Sequence, residues 1–210
     1  MGTIMKAAKK IFIALGLTLS LGACGTLFGS HEEDLPKYSE PRFQNETPIE
    51  LKVNKVNIVS EFTPSFTRPN VEHLFPVSIE KTATLWAQDR LKAADFSSPK
   101  IAEVTIKDAS VTEELEESTQ IFEKDKVKYS ARLVVNIKIS DPTSLAQAST
   151  EVEAWRSLTI SADTDIATKE SYWNGMVQKL FDDFNDRMTI NINQHLNAFI
   201  KNKDIVPTYY

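Results

Sequence analysis

Three histidines and one cysteine are the side chains best able to ligate a metal or attack a carbonyl in this 210-residue chain. Their surroundings limit what they can do. His31 stands beside Glu32, Glu33 and Asp34, but in a proline-containing stretch with no apolar period, where nothing rigid would gather the ligands. His73 sits in Arg68-Pro69-Asn70-Val71-Glu72-His73-Leu74-Phe75-Pro76, a polar loop between prolines. Asn70 and His73 are therefore candidate binding residues, and His73 with Glu72 or a nearby serine is a candidate hydrolase pair. The alternative is a proline-stiffened crossover in which both residues cap backbone groups. His195 falls on an apolar helical stripe and is expected to be a core histidine held by one hydrogen bond. Asp182 and Asp186 lie one helical turn apart, and Glu113, Glu114, Glu116 and Glu117 form an acidic run. Such carboxylates can bind calcium or cleave glycosides, but without converging partners they are expected to be solvated surface. After Ile49 the sole glycine is Gly175, inside a helical pattern. That leaves no glycine-rich phosphate loop, dinucleotide fingerprint or nucleophile elbow. No cofactor or metal is expected, and the domain is expected to be non-enzymatic.

The cysteine has a different context. Residues 1–10 carry Lys6, Lys9 and Lys10 and no acid, and residues 11–21 read IFIALGLTLSL. A helix over that run would be about 17 Å long, too short for a hydrocarbon core of about 30 Å. A basic start followed by a short apolar run is a secretory signal. Leu21-Gly22-Ala23-Cys24 then resembles the lipobox of bacterial lipoproteins. The resemblance implies cleavage before Cys24 and acylation of its thiol, anchoring the chain by acyl chains worth about 0.8 kcal/mol per buried CH₂. Gly25, where enterobacterial lipoproteins held at the inner membrane carry Asp, implies the periplasmic face of the outer membrane. A plain signal peptide, or a short N-terminal anchor, is the alternative. Removal of residues 1–23 leaves 21 basic against 29 acidic residues, a formal charge of about −8. This acidic balance argues against a nucleic-acid partner.

These groups must be positioned by the elements that follow. Residues 24–48 hold Pro36, Pro41 and Pro48 among mixed charges and read as a lipidated cysteine and a flexible tether, leaving residues 49–210 as one domain. Ile49, Leu51, Val53, Val56 and Ile58 predict a strand with a slip near Asn54. Pro64, Pro69 and Pro76 exclude regular structure over 63–77. Ser78 is a predicted N-cap, and Ile79, Ala83, Trp86, Ala87, Arg90 and Ala94 share one helical face, with Arg90 placed to stack on Trp86. Ala102, Val104 and Ile106 predict a second strand. Val127 to Ile139 alternate strictly over seven positions, and Ala148, Val152, Ala154, Leu158 and Ile160 continue the alternation after an Asp141-Pro142 turn, predicting a long hairpin. A helix over 167–201 is predicted from the stripe Trp173, Val177, Leu180, Phe181, Phe184, Met188, Ile192, His195 and Phe199.

The expected fold is α+β: a four-stranded, largely antiparallel sheet with two helices on one face, in the order β-α-β-β-β-α. Ile190 and Tyr172 on the long helix, and Tyr209 and Tyr210 at the end of the chain, are candidate partner-binding residues. The lipobox with this element order resembles small Gram-negative lipoproteins, among them lipopolysaccharide-assembly and ABC-transport auxiliary lipoproteins, and lipoproteins of alphaproteobacteria. The resemblance implies a non-enzymatic accessory factor contacting an envelope protein or a lipid-transport partner. A lipoprotein hydrolase and a structural lipoprotein binding cell-wall polymer are the other readings.

Overall fold

The computed structural model describes residues 38–120 and 122–202. Leu21, Gly22, Ala23, Cys24, Tyr209 and Tyr210 lie outside the described residues. Two long strands dominate. One (β6, Lys126–Ser140) pairs over its whole length with the next (β7, Gln147–Ser161), in register from Lys126 opposite Ser161 to Ser140 opposite Gln147. The strict alternation read from the sequence explains the pairing. Tyr129, Ala131, Leu133, Val135, Ile137 and Ile139 point into the core, as do Val152, Ala154 and Ile160 across the ladder. The turn between them is fixed by Asp141, whose Oδ1 accepts from Thr143 N at 2.9 Å and Thr143 Oγ1 at 2.6 Å.

The other edge of β6 carries two strands end to end. Ile101–Asp108 (β4) pairs with residues 134–140, and Val111–Glu116 (β5) pairs with residues 126–131. The register slips by one between Ile106 and Asp108, so β4 and β5 follow one bulged path. Lys55–Ser60 (β2) lies parallel to β4. The sheet is thus mixed and five-stranded, which corrects the expected four-stranded, largely antiparallel one. Two local causes account for the difference: the bulge divides the second strand, and the chain between β2 and β4 crosses back over the sheet through a helix, making that pair parallel.

The single strand expected from Ile49 to Ile58 is also divided. Val53 N donates to Leu51 O at 2.8 Å, closing a tight turn that ends Ile49–Leu51 (β1). β1 then pairs, in parallel, with Leu91–Ala93 (β3) in a separate two-stranded sheet. The first helix (α1, Ile79–Arg90) begins at Ser78 as predicted, the Ser78 hydroxyl accepting from Lys81 N at 3.2 Å. It stops at Arg90, short of Ala94, because Leu91 adopts extended geometry and enters β3.

The second helix (α2, Ile166–His195) is 30 residues, about 45 Å, and is capped by Asp165, whose Oδ1 accepts from Thr168 N at 3.0 Å. It ends six residues before the expected Lys201. Leu196 leaves helical geometry, a turn forms over Asn197–Phe199, and Ile200 bridges to Leu51 with its side chain buried. The chain is held there by Lys52 N to Phe199 O at 2.7 Å and Lys201 N to Glu50 O at 2.8 Å. His195, expected in the core, is therefore exposed at the helix terminus. Otherwise the stripe is buried as read, from Trp173 through Phe181 and Phe184 to Ile192. Both helices share one face of the sheet and touch: Trp86 meets Phe184 edge to face at 4.9 Å.

Two buried polar groups organise the helices. Arg90 is 2% exposed. It does not stack on Trp86; instead, Arg90 Nε and Trp86 Nε1 both donate to Asn185 Oδ1, at 3.1 and 3.0 Å. Arg90 also donates to Thr189 Oγ1 at 3.1 Å and to Thr47 O. Burial lowers its pKa, and Glu46 and Asp186 act against that. Asp89 receives a bidentate pair from Arg42 at 2.8 and 2.7 Å and Phe43 N at 3.0 Å. Phe43 enters the core against Phe181. Residues 38–48, expected to belong to the tether, are therefore a strap bound along α1, beginning at its first turn where Glu40 meets Lys81 at 2.9 Å.

Candidate binding groove

The proline-rich segment after β2 lies against β5. Val71 N donates to Val111 O, and Glu113 N donates to Pro69 O, both at 2.8 Å, while Asn70 bridges to Thr112. The loop thus covers the edge of β5 that β6 leaves free, which also buries Val71. Glu113, Glu114 and Glu116 therefore lie on a strand, and Glu114, Glu116 and Glu117 are exposed, the solvated surface expected of them. Glu114 and Glu116 stand in register with Lys128 and Lys126, which balances their charge across the ladder. Glu113 points to the helix side and pairs with Arg68 Nε at 2.9 Å.

Where this loop, the end of β5 and the start of α2 meet, the structure opens into a groove of about 670 Å³. Its floor is aromatic: Tyr129 and Trp173 line it and meet edge to face at 5.3 Å, while Phe75, which lines the neighbouring hollow, stacks on Trp173 at 4.9 Å. Its rim is apolar: Leu74, Leu115 and Ile166 are exposed there, beside Pro69 and Val127. Two cations border it, Arg68 on the loop, which pairs with the lining carboxylate Glu113, and Lys169 on the first turn of α2. Burial, with the Glu113 charge nearby, raises the Tyr129 pKa, so its hydroxyl keeps its proton. Trp173 Nε1 is buried with no hydrogen-bond partner. Exposed leucines and isoleucine around an aromatic floor suit the apolar part of an amphiphile, and the guanidinium and ammonium suit an anionic head.

The expected site residues are distributed differently. His73 is exposed on the far side of the loop, its ring 5.5 Å from Phe66, and lines a hollow of about 200 Å³ with Phe62, Pro64 and Ser78. Glu72 Oε1 accepts from Ser65 N at 3.1 Å, and no hydrogen bond among the described residues joins His73 to Glu72 or to a serine. The hydrolase pair is thus not assembled. Asn70 acts through its backbone, with N donating to Thr67 O at 2.9 Å. Ile190 is half-buried and Tyr172 is exposed, neither of them in the groove. Asp182 and Asp186 are exposed on α2. Partial burial, then the charges of Asp186, Asp183 and Glu46, raise the Asp182 pKa. Among the described residues no group of three or more His, Cys, Asp or Glu is placed to hold a metal, and no helix is long and apolar enough to cross a membrane. Sequence reading does not single out Arg68, Leu74, Leu115, Ile166 or Lys169: Arg68 and Leu74 lie in the loop over 68–76, Leu115 near the end of β5 and Ile166 and Lys169 on the first turn of α2, and no spacing links these three segments.

No protein-family model and no curated protein matches this chain. Solved structures give loose likenesses. A minor lipoprotein from Acinetobacter baumannii aligns with TM-score 0.38 and 12% identity, over 69% of this chain and 96% of that one. A Xanthomonas campestris protein aligns with TM-score 0.35 and 11% identity, over 76% and 95%. The rare lipoprotein B from Shewanella oneidensis gives 0.33 and 11%, over 67% and 98%.

Proposed function

We propose that the chain is a lipid-anchored accessory protein of a Gram-negative envelope, and that its folded domain is a non-enzymatic binding factor for an amphiphilic, anionic-headed partner such as a lipid in transport or assembly. The anchor rests on the basic start, the short apolar run and Leu21-Gly22-Ala23-Cys24 in that order. Gly25, by the resemblance to enterobacterial lipoproteins, supports an anchor on the periplasmic face of the outer membrane. The binding role rests on one observation, the groove with an aromatic floor, an apolar rim and two bordering cations.

The two halves are tested separately. Cys24→Ser abolishes labelling by radioactive palmitate and releases the protein from membranes; unchanged retention refutes the anchor. Gly25→Asp shifts the protein to the inner membrane in sucrose-gradient fractionation. For the groove, Ile166→Asp and Leu115→Asp place charge at exposed positions without entering the core. Each weakens binding of a fluorescent fatty acid or of phosphatidylglycerol in mixed micelles. Equal binding by wild type and both variants, or binding by none, refutes the groove.

A further inference from the structure

The face of the sheet away from the helices carries no covering element among the described residues, and one residue on it stands apart. Trp155 on β7 is 70% exposed. Apart from Val134, a diagonal neighbour across the ladder, its surroundings on that face are ordered and polar. Arg132 is its cross-strand partner. The Arg132 guanidinium is fixed by Glu153 Oε1 at 2.7 Å and by Asp108, whose other oxygen accepts from Ser110 N at 2.9 Å. One step along the ladder on the same face lie Ser157, Ser130 and Thr112, with the two serine hydroxyls 3.4 Å apart. On the other side Lys107 pairs with Glu151 at 2.7 Å.

We infer that this face is a binding platform for a chain of neutral pyranose rings, a second site beyond the groove and independent of it. An indole face carries negative charge density and attracts the C–H edges of a sugar ring laid flat on it. The rows of hydroxyl, carboxylate and guanidinium groups around Trp155 supply acceptors and oriented donors for ring hydroxyls, spaced by the strand separation of about 4.8 Å. Around Trp155 the charges are engaged within the face, Arg132 with Glu153 and Asp108 and Lys107 with Glu151, two cations against three carboxylates, so it offers no positive field to a polyanion. A single exposed aromatic among polar side chains is also too little apolar surface to seat a lipid or a protein hot spot.

The test uses the full chain in detergent. Trp86 and Trp173 are buried, so acrylamide quenching reports chiefly on Trp155. Chitohexaose should protect Trp155 from quenching, and the protein should sediment with insoluble chitin and with purified peptidoglycan. Trp155→Ala should fold normally, as judged by an unchanged melting temperature, and lose binding by about tenfold or more. Trp155→Phe should retain part of it, while Ile166→Asp in the groove should leave it unchanged. Absence of protection by any oligosaccharide, equal sedimentation of Trp155→Ala, or protection by lipid vesicles or a protein alone overturns the inference.

Discussion

Asn185 is the most informative residue to perturb. Its Oδ1 is the shared acceptor for Arg90 Nε and Trp86 Nε1, while its Nδ2 makes only long contacts, at 3.5 Å, with Glu46 and Asp186. Asn185→Ala therefore removes two good hydrogen bonds and leaves both donors buried. A stranded neutral donor costs about 1–3 kcal/mol, and a hydrogen bond to a charged group contributes about 1.5–3 kcal/mol. Partial hydration of the space left behind reduces the sum, so a loss of about 3 kcal/mol is expected. Asn185→Asp keeps the acceptor and gives Arg90 a counter-charge, so it should lose much less. Arg90→Met should itself cost about 2–4 kcal/mol, since the Thr47 carbonyl loses its donor and Asn185 Oδ1 keeps only Trp86 Nε1. Because the two residues share one network, the double variant should be more stable than the summed singles predict, with a coupling of about 1–3 kcal/mol. Urea unfolding followed by tryptophan fluorescence gives all four stabilities. A loss under about 1 kcal/mol for Asn185→Ala, or additivity within about 0.5 kcal/mol, would show that Arg90 is solvated and that the network does not hold the helices.

Gly175 lies within α2, and a Cβ built on it meets nothing within 4 Å. Gly175→Ala should stabilise the protein by about 1 kcal/mol and raise the melting temperature by about 2–4 °C in calorimetry. Phe43→Ala, which empties the strap's place in the core, should cost about 3–5 kcal/mol in urea unfolding, where a freely moving tether residue would cost nothing. The Thr143 hydroxyl and amide and the Ser144 groups hold the Asp141 pKa down, from 3.8 to about 2. The folded state therefore favours the carboxylate: its stabilisation is complete above the ordinary aspartate pKa and disappears as pH falls through about 2. Asp141→Asn should flatten the stability profile in that window, measured by thermal melts at stepped pH. Asp89, lowered chiefly by its hydrogen bond from Arg42, contributes with the same sign.

Legibility in the sequence followed the range of the interactions. The β6–β7 hairpin is written in seven consecutive alternations, and the α1 cap in Ser78, because each depends on neighbours a few residues away. The division of β1 from β2 depends on β3 as a partner, formed by three residues that follow α1 directly. Arg90 reads as an arginine stacked on Trp86 until Asn185, 95 positions later in the chain, takes hydrogen bonds from both. The groove was illegible for the same reason: Leu115 ends a strand, Ile166 starts a helix, and only the tertiary fold leaves both uncovered beside Trp173. Trp173 itself was recognised as an apolar-stripe residue, and its second role as part of a ligand-facing floor has no periodic signature.

The strap also sets a length. With Glu40 held by Lys81 and Arg42 and Phe43 pinned to Asp89, Cys24 lies 16 positions before the first clamped residue rather than the 24 of a tether ending at Pro48. At about 3.4 Å per residue the fullest reach falls from about 82 Å to about 54 Å. Under the proposed acylation of Cys24, the domain therefore works within a leash little longer than α2. A pull from the N-terminal side is borne first by the Glu40–Lys81 pair and then by the Arg42–Asp89 clamp, before any strand of the sheet feels the load.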